Sequence, residues 1–308
     1  MGKKASTVKT MPSLVLIILL IFLSLIVSCI LAPAVGFLTE KLYGLKNDFR
    51  IIYLNTAIAV LLILFIVSRN SLKADIRSSL NHAFYKVLLH IFTGLVFAFI
   101  FIAVSAMVLW LFKIKSVNIS FSNISLVSVL LSLVIVSVIE IIFRGYILQS
   151  LLAEIYAFPA ILVTNALFAF MMVLYISGNS IPFSSNIDFL LGFKELPNIF
   201  FNSMSFYSMI PALTGFFLMG VLFSLTYLKL GSLYASIGMF FIFILIDESE
   251  IITIGNKLFK DRDIIFGSHG TILKAMPGSI MMYILLLLGI IGFLSIGGIS
   301  SKSEARGS

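Results

Sequence analysis

The sequence predicts an all-α membrane protein, a polytopic bundle of about eight transmembrane helices, and three observations predict it. Hydrophobic residues fill 60% of the 308 positions and charged residues only 11%, with a mean hydropathy of +1.16, whereas a soluble domain is nearer a quarter charged. Apolar runs of the roughly 20 residues needed to span a hydrocarbon layer recur along the chain. The charges fall between those runs, with one exception: a glutamate and an arginine at positions 140 and 144 interrupt the fourth.

In chain order the runs lie near 13–38, 51–68, 87–112, 125–144, 157–177, 207–228, 231–246 and 278–297. The first is long enough to tilt, and Pro33 lies where its last turns would kink. It has no small-residue cleavage site and reads as a retained helix rather than a cleaved signal peptide. The fourth is followed by apolar residues at 147, 148, 151, 152 and 155, a helical stripe, so that helix continues past Gly145 or turns along the interface. Only Lys229, Leu230 and Gly231 separate the sixth run from the seventh, which makes these two a tight helical hairpin. Two connections, 178–206 and 247–277, exceed simple turns and read as solvated caps over the bundle. The acidic residues Asp247, Glu248 and Glu250 read as a helix end in water rather than a cation site. No linker or repeat divides the chain, so residues 1–308 form one integral-membrane domain.

The net charge of +8 is spread over the loops rather than gathered in a basic patch, which suits contact with phosphate headgroups and not nucleic acid. Cys29 is the single cysteine, so no intrachain disulfide can form. No His-Glu-x-x-His and no cluster at ligand spacing points to a metal, and no cofactor is expected. Lys and Arg divide almost evenly between the two sides. Placing both termini in the cytoplasm puts the basic amino terminus and the segment Arg69 to Lys86 together.

The exception in the fourth run organises the functional reading. Residues four apart share one helix face, so Glu140 and Arg144 can pair directly, and ionisable groups at membrane depth face a protein interior or a water-filled cavity. Three segments in order, Ile139 to Leu148, Thr164 to Met172 and Gly220 to Ile244, resemble the CAAX protease and bacteriocin-processing (Abi) family of intramembrane endopeptidases. The first is similar to that family's Glu-Glu-x-x-x-Arg helix, the second to its Phe-x-x-x-His helix, and the third to its hairpin ending in His-x-x-x-Asn. The family-like core runs over 125–246. The resemblance implies an intramembrane bundle in which paired glutamates activate water while two histidines and an asparagine hold it and stabilise the oxyanion.

This chain departs from that pattern at four of the five polar positions. Ile139 stands at the first glutamate, Met172 at the first histidine, Phe240 at the second and Ile244 at the asparagine, leaving Glu140 with Arg144. A base acting on a peptide bond needs donors aimed at the developing oxyanion. A lone carboxylate beside a guanidinium has its charge already compensated and is a weaker base. The remaining histidines, His82, His90 and His269, lie off the motif helices.

The expectation is a catalytically lapsed protein, a pseudoenzyme in a bacterial cytoplasmic membrane, whose partners are the bilayer and another membrane or cell-envelope protein. Glu140 and Arg144 then form a structural pair, and Met172, Phe240 and Ile244 are core packing. The alternative is an active endopeptidase with a rearranged site using Glu140, for example with His269 folding back. Transport ranks last, because several intramembrane charges and broken helices would be expected.

Overall fold

The computed structural model describes residues 12–43, 48–72, 74, 76–111, 116–119, 126–176, 181, 188–201, 206–248, 252–255, 270–271 and 280–295. Each of the eight apolar runs contains a helix, the seventh starting at Tyr234 rather than at residue 231. Stretches long and apolar enough to cross a membrane occur in α1 (Ser13–Tyr43), α2 (Phe49–Val67), α5 (Phe84–Leu111), α8 (Ala157–Ile176), α10 (Phe206–Leu230) and one composite rod. That rod joins α6 (Leu126–Glu140), a π-helical segment (Ile141–Leu148) and α7 (Gln149–Leu152). Two shorter apolar helices, α11 (Tyr234–Glu248) and α12 (Ile280–Ser295), complete the set. The connections hold α3 (Arg69–Leu72), α4 (Ile76–Leu80) and α9 (Leu191–Phe201).

Helices dominate because a chain in hydrocarbon must satisfy its backbone hydrogen bonds internally. Their outer faces carry large exposed apolar side chains, among them Phe22, Phe92 and Leu288, which is the surface that lipid solvates. Inside, close approach rests on small residues. A Cβ on Gly238 of α11 would lie 2.5 Å from the Ile91 carbonyl of α5, and one on Gly94 of α5 would strike the Ala235 carbonyl of α11. These two helices therefore meet backbone to backbone.

The hairpin read from the sequence is present. The α10 helix ends at Gly231, whose φ of +62° favours glycine, and the Gly231 N–H donates to the Tyr227 carbonyl at 2.8 Å. The stripe after Gly145 is also present, as an uninterrupted helical continuation into α7.

Hydrogen bonds between connections sort them to two ends of the bundle. At one end the Ser13 N–H and hydroxyl donate to the Glu154 carboxylate at 2.8 and 2.7 Å, and His82 Nε2 lies 3.2 Å from the Gly231 carbonyl. At the other end the Ile181 N–H donates to Asp48 Oδ1 at 2.8 Å, and Arg50 Nη1 donates to the Leu174 carbonyl at the end of α8 at 3.1 Å. Here the connections after α5 and α11 share a small antiparallel sheet, order β1-β2-β3, of β1 (Ser116–Ile119), β2 (Ile252–Gly255) and β3 (Gly270–Thr271). Val117 faces Ile254, and Thr253 faces Thr271. The sheet adds to the helical expectation, since period-2 patterning over two to four residues leaves no signal in sequence.

The connection 178–206 was expected to be a solvated cap, and its described part is more than that. Gly192 of α9 packs on the Cys29 carbonyl of α1. That carbonyl would accept from the N–H of residue 33 in an ordinary helix, and residue 33 is proline. Asp247 lies in the last turn of α11, while Glu250 and His269 lie outside the described residues.

Candidate functional site

Glu140 ends α6, and Arg144 lies in the π-helical segment that follows. Neither side chain has any solvent exposure. Arg144 Nη1 donates to Glu140 Oε1 at 3.1 Å, so the i, i+4 pairing holds although the backbone has widened to i→i+5 bonding. The other end of the guanidinium reaches two further helices. Nη2 donates to Asn165 Oδ1 of α8 at 3.2 Å and to the Gly220 carbonyl of α10 at 3.0 Å.

Asn165 is the hub of this arrangement. Its Nδ2 donates to the Ile161 carbonyl at 2.8 Å, and Oδ1 also accepts from the Ser224 hydroxyl at 3.1 Å. Gly220 makes room for it, because a Cβ there would sit 2.7 Å from Asn165 Oδ1 and 2.9 Å from the Phe168 ring. Gly220 and Ser224 are four apart on α10, a pair of small residues that lets a guanidinium and an amide approach the helix backbone.

Aromatic rings cover the faces of the guanidinium. Its carbon lies 4.4 Å from the centroid of Phe168 and 5.5 Å from that of Phe223. A desolvated cation over a ring is stabilised by about 2 kcal/mol. Arg144 Nε makes no hydrogen bond among the described residues. Phe143 and Phe240 extend the cluster, each edge-on to Phe168, at 5.5 and 5.7 Å between centroids.

The four apolar residues singled out in the sequence all belong to the same hydrophobic core. Ile139, Met172, Phe240 and Ile244 are buried, and Phe240 packs against both Phe168 and Phe223. These side chains offer no hydrogen-bond donor and, at Met172, only the weak acceptor of a thioether.

Glu140 keeps one oxygen uncommitted. Oε2 has no hydrogen-bond partner among the described residues. Ser236 of α11 stands beside the carboxylate, but its hydroxyl donates to the Leu233 carbonyl at 2.9 Å.

His82 and His90 form a T-shaped ring pair, 5.8 Å between centroids, and His82 sits against the α10–α11 turn. Among the described residues no group of three or more His, Cys, Asp and Glu side chains could hold a metal.

Sequence reasoning brought Glu140 and Arg144 together and missed Asn165, Phe168, Gly220, Ser224 and Phe223 as their setting. A polar Asn inside the apolar run 157–177, and Gly and Ser four apart in the run 207–228, were the available signals. No curated protein and no solved structure matches the chain. Residues 120–246, which contain every residue of this site, match the family described as Type II CAAX prenyl endopeptidase Rce1-like, and over that segment the chain is similar to that family.

Proposed function

We propose that this integral membrane protein is an Rce1-like protein that binds rather than cuts: a scaffold or regulator of another membrane or cell-envelope protein. Its setting would be a bacterial cytoplasmic membrane. The observation that carries this reading is the fully buried Glu140, whose hydrogen-bond partner is Arg144, together with the burial of Ile139, Met172, Phe240 and Ile244 in the apolar core.

Hydrolysis needs a water within hydrogen-bond reach of the base and donors where the oxyanion develops. Here the guanidinium is committed to Glu140, Asn165 and the Gly220 carbonyl, so its donors hold helices together instead of facing a scissile bond. The former catalytic core then serves as a rigid block whose outer surfaces do the binding.

The test is reconstitution of the full chain in liposomes with prenylated and unprenylated peptides, followed by mass spectrometry. No cleavage above an empty-liposome control is expected. Cleavage that disappears in Glu140→Gln would overturn the proposal in favour of the rearranged glutamate endopeptidase. Co-purification from native membranes should instead yield a protein that travels with both the wild type and Glu140→Gln.

A further inference from the structure

At the end of the bundle that carries Ser13 and Gly231, a cavity of about 530 Å³ opens between α2, α3, α4 and the π-helical segment. That volume lies within the roughly 300–1,000 Å³ of ordinary small-molecule sites. Its wall is apolar, with Leu62 and Ile66 of α2 facing Ile141, and its polar groups are Arg69, Asn70 and Tyr146. A guanidinium, a carboxamide and a phenol all offer N–H or O–H donors. Most of the cavity lies outside the segment that matches the family.

We propose that this cavity is a binding site for an anionic phospholipid, with one acyl chain along the apolar wall and the phosphate at Arg69, Asn70 and Tyr146. Charge complementarity selects the occupant. The stretch Arg69 to Lys86 holds Arg69, Lys73, Arg77 and Lys86 against the single acid Asp75, and such segments next to a membrane span attract anionic lipid.

The depth of the cavity fits as well. Arg69 follows the last residue of α2, Val67, by two positions. On the same end Tyr85 is 65% exposed and Tyr156 88% exposed, as tyrosines at the headgroup level are. The polar residues therefore sit at the height of lipid phosphates, with the apolar wall reaching below them.

The cavity is also held open by its own anchors. Ser79 of α4 hydrogen-bonds the Tyr227 hydroxyl at 2.8 Å and accepts from Gln149 Nε2 at 2.6 Å, and the Tyr234 hydroxyl donates to the Leu80 carbonyl at 3.0 Å. Leu72 of α3 is fully buried. A site fixed in this way loses little entropy when a ligand enters.

The experiment is native mass spectrometry of the full chain in neutral detergent, titrated with phosphatidylglycerol or phosphatidylcholine of matched chains, with inorganic phosphate as competitor. One phosphatidylglycerol should bind in preference to phosphatidylcholine, and Arg69→Gln should weaken it about five-fold, the worth of one basic residue at an anionic surface. Ile66→Trp, which fills the cavity from its exposed rim, should block the lipid without lowering the thermal midpoint. Equal binding of the two lipids, or unchanged binding in both variants, would overturn the proposal. Displacement by millimolar inorganic phosphate would also overturn it, by reassigning the site to free phosphate.

Discussion

Arg144 shows how a charge survives at membrane depth: its two terminal nitrogens are met by a carboxylate, an amide oxygen and a backbone carbonyl, and its guanidinium carbon lies over a ring face. Removing one partner of such a buried pair leaves the other uncompensated, at a cost of about 3–5 kcal/mol, while replacing both by apolar side chains is close to neutral. Arg144→Met alone should therefore destabilise strongly, and Glu140→Leu combined with Arg144→Met should recover most of the loss. Asn165 keeps the Ser224 hydroxyl and the Gly220 carbonyl keeps its own helix, so the double variant strands no polar group. Thermal midpoints in detergent test this; a double variant as weak as the single one would mean the pair holds more than itself together. Phe240→His probes the same cluster from the other side. It places a polar ring between Phe168 and Phe223, and an unpartnered polar group there costs about 1–3 kcal/mol. Destabilisation without peptidase activity is the expected outcome, read by melting and cleavage on one preparation.

The contacts between elements depend on backbone proximity that residue types only hint at. Gly192 of α9 touches the Cys29 carbonyl freed by Pro33, so Gly192→Val must push α9 away from α1. Overpacking of this kind costs about 1–3 kcal/mol, and protease sensitivity within 188–201 should rise while the α5–α11 contact is unchanged. The same helix is started by Asp188, whose Oδ1 accepts from the Leu190 N–H at 2.9 Å and whose Oδ2 meets Lys194 Nζ at 2.7 Å. The Lys194 hydrogen bond, then the Leu190 N–H, hold the Asp188 carboxyl below its ordinary value of 3.8. A depressed folded value means the contribution is complete above the unfolded carboxyl's value and is lost as pH falls through the folded one. Amide exchange at Leu190, normalised to its intrinsic rate, should therefore accelerate only below about pH 4, and Asp188→Ala, which removes the acceptor, should show the fast rate at neutral pH.

At the scale of the whole molecule, the spans were legible because crossing hydrocarbon imposes a length and a composition that survive any packing. Helix neighbours were not, because lipid-facing and protein-facing surfaces are both apolar, and α5 meets α11 through Gly94 and Gly238 rather than through a polarity pattern. The Glu140–Arg144 pair was readable as i, i+4 spacing, whereas the π-helical widening at Ile141 and the partners Asn165 and Gly220 depend on tertiary approach. What the structure adds to topology is the grouping of connections. Ser13 with Glu154, and His82 with Gly231, bring four chain segments to one end. Lys3, Lys4 and Lys9 precede α1 in the sequence, and the connection from α2 to α5, which contains Arg69 and Lys86, lies at the end where α1 begins. Short basic connections favour the cytoplasmic face, so this end should be cytoplasmic and α9 should lie on the opposite face. Cys29 is buried, so cysteines introduced on the surface report with little background. In intact cells a membrane-impermeant maleimide should label Lys194→Cys and leave Asn81→Cys and Tyr156→Cys unlabelled until the membrane is opened. The reverse pattern would invert the orientation, and labelling of all three in intact cells would break the grouping of connections itself.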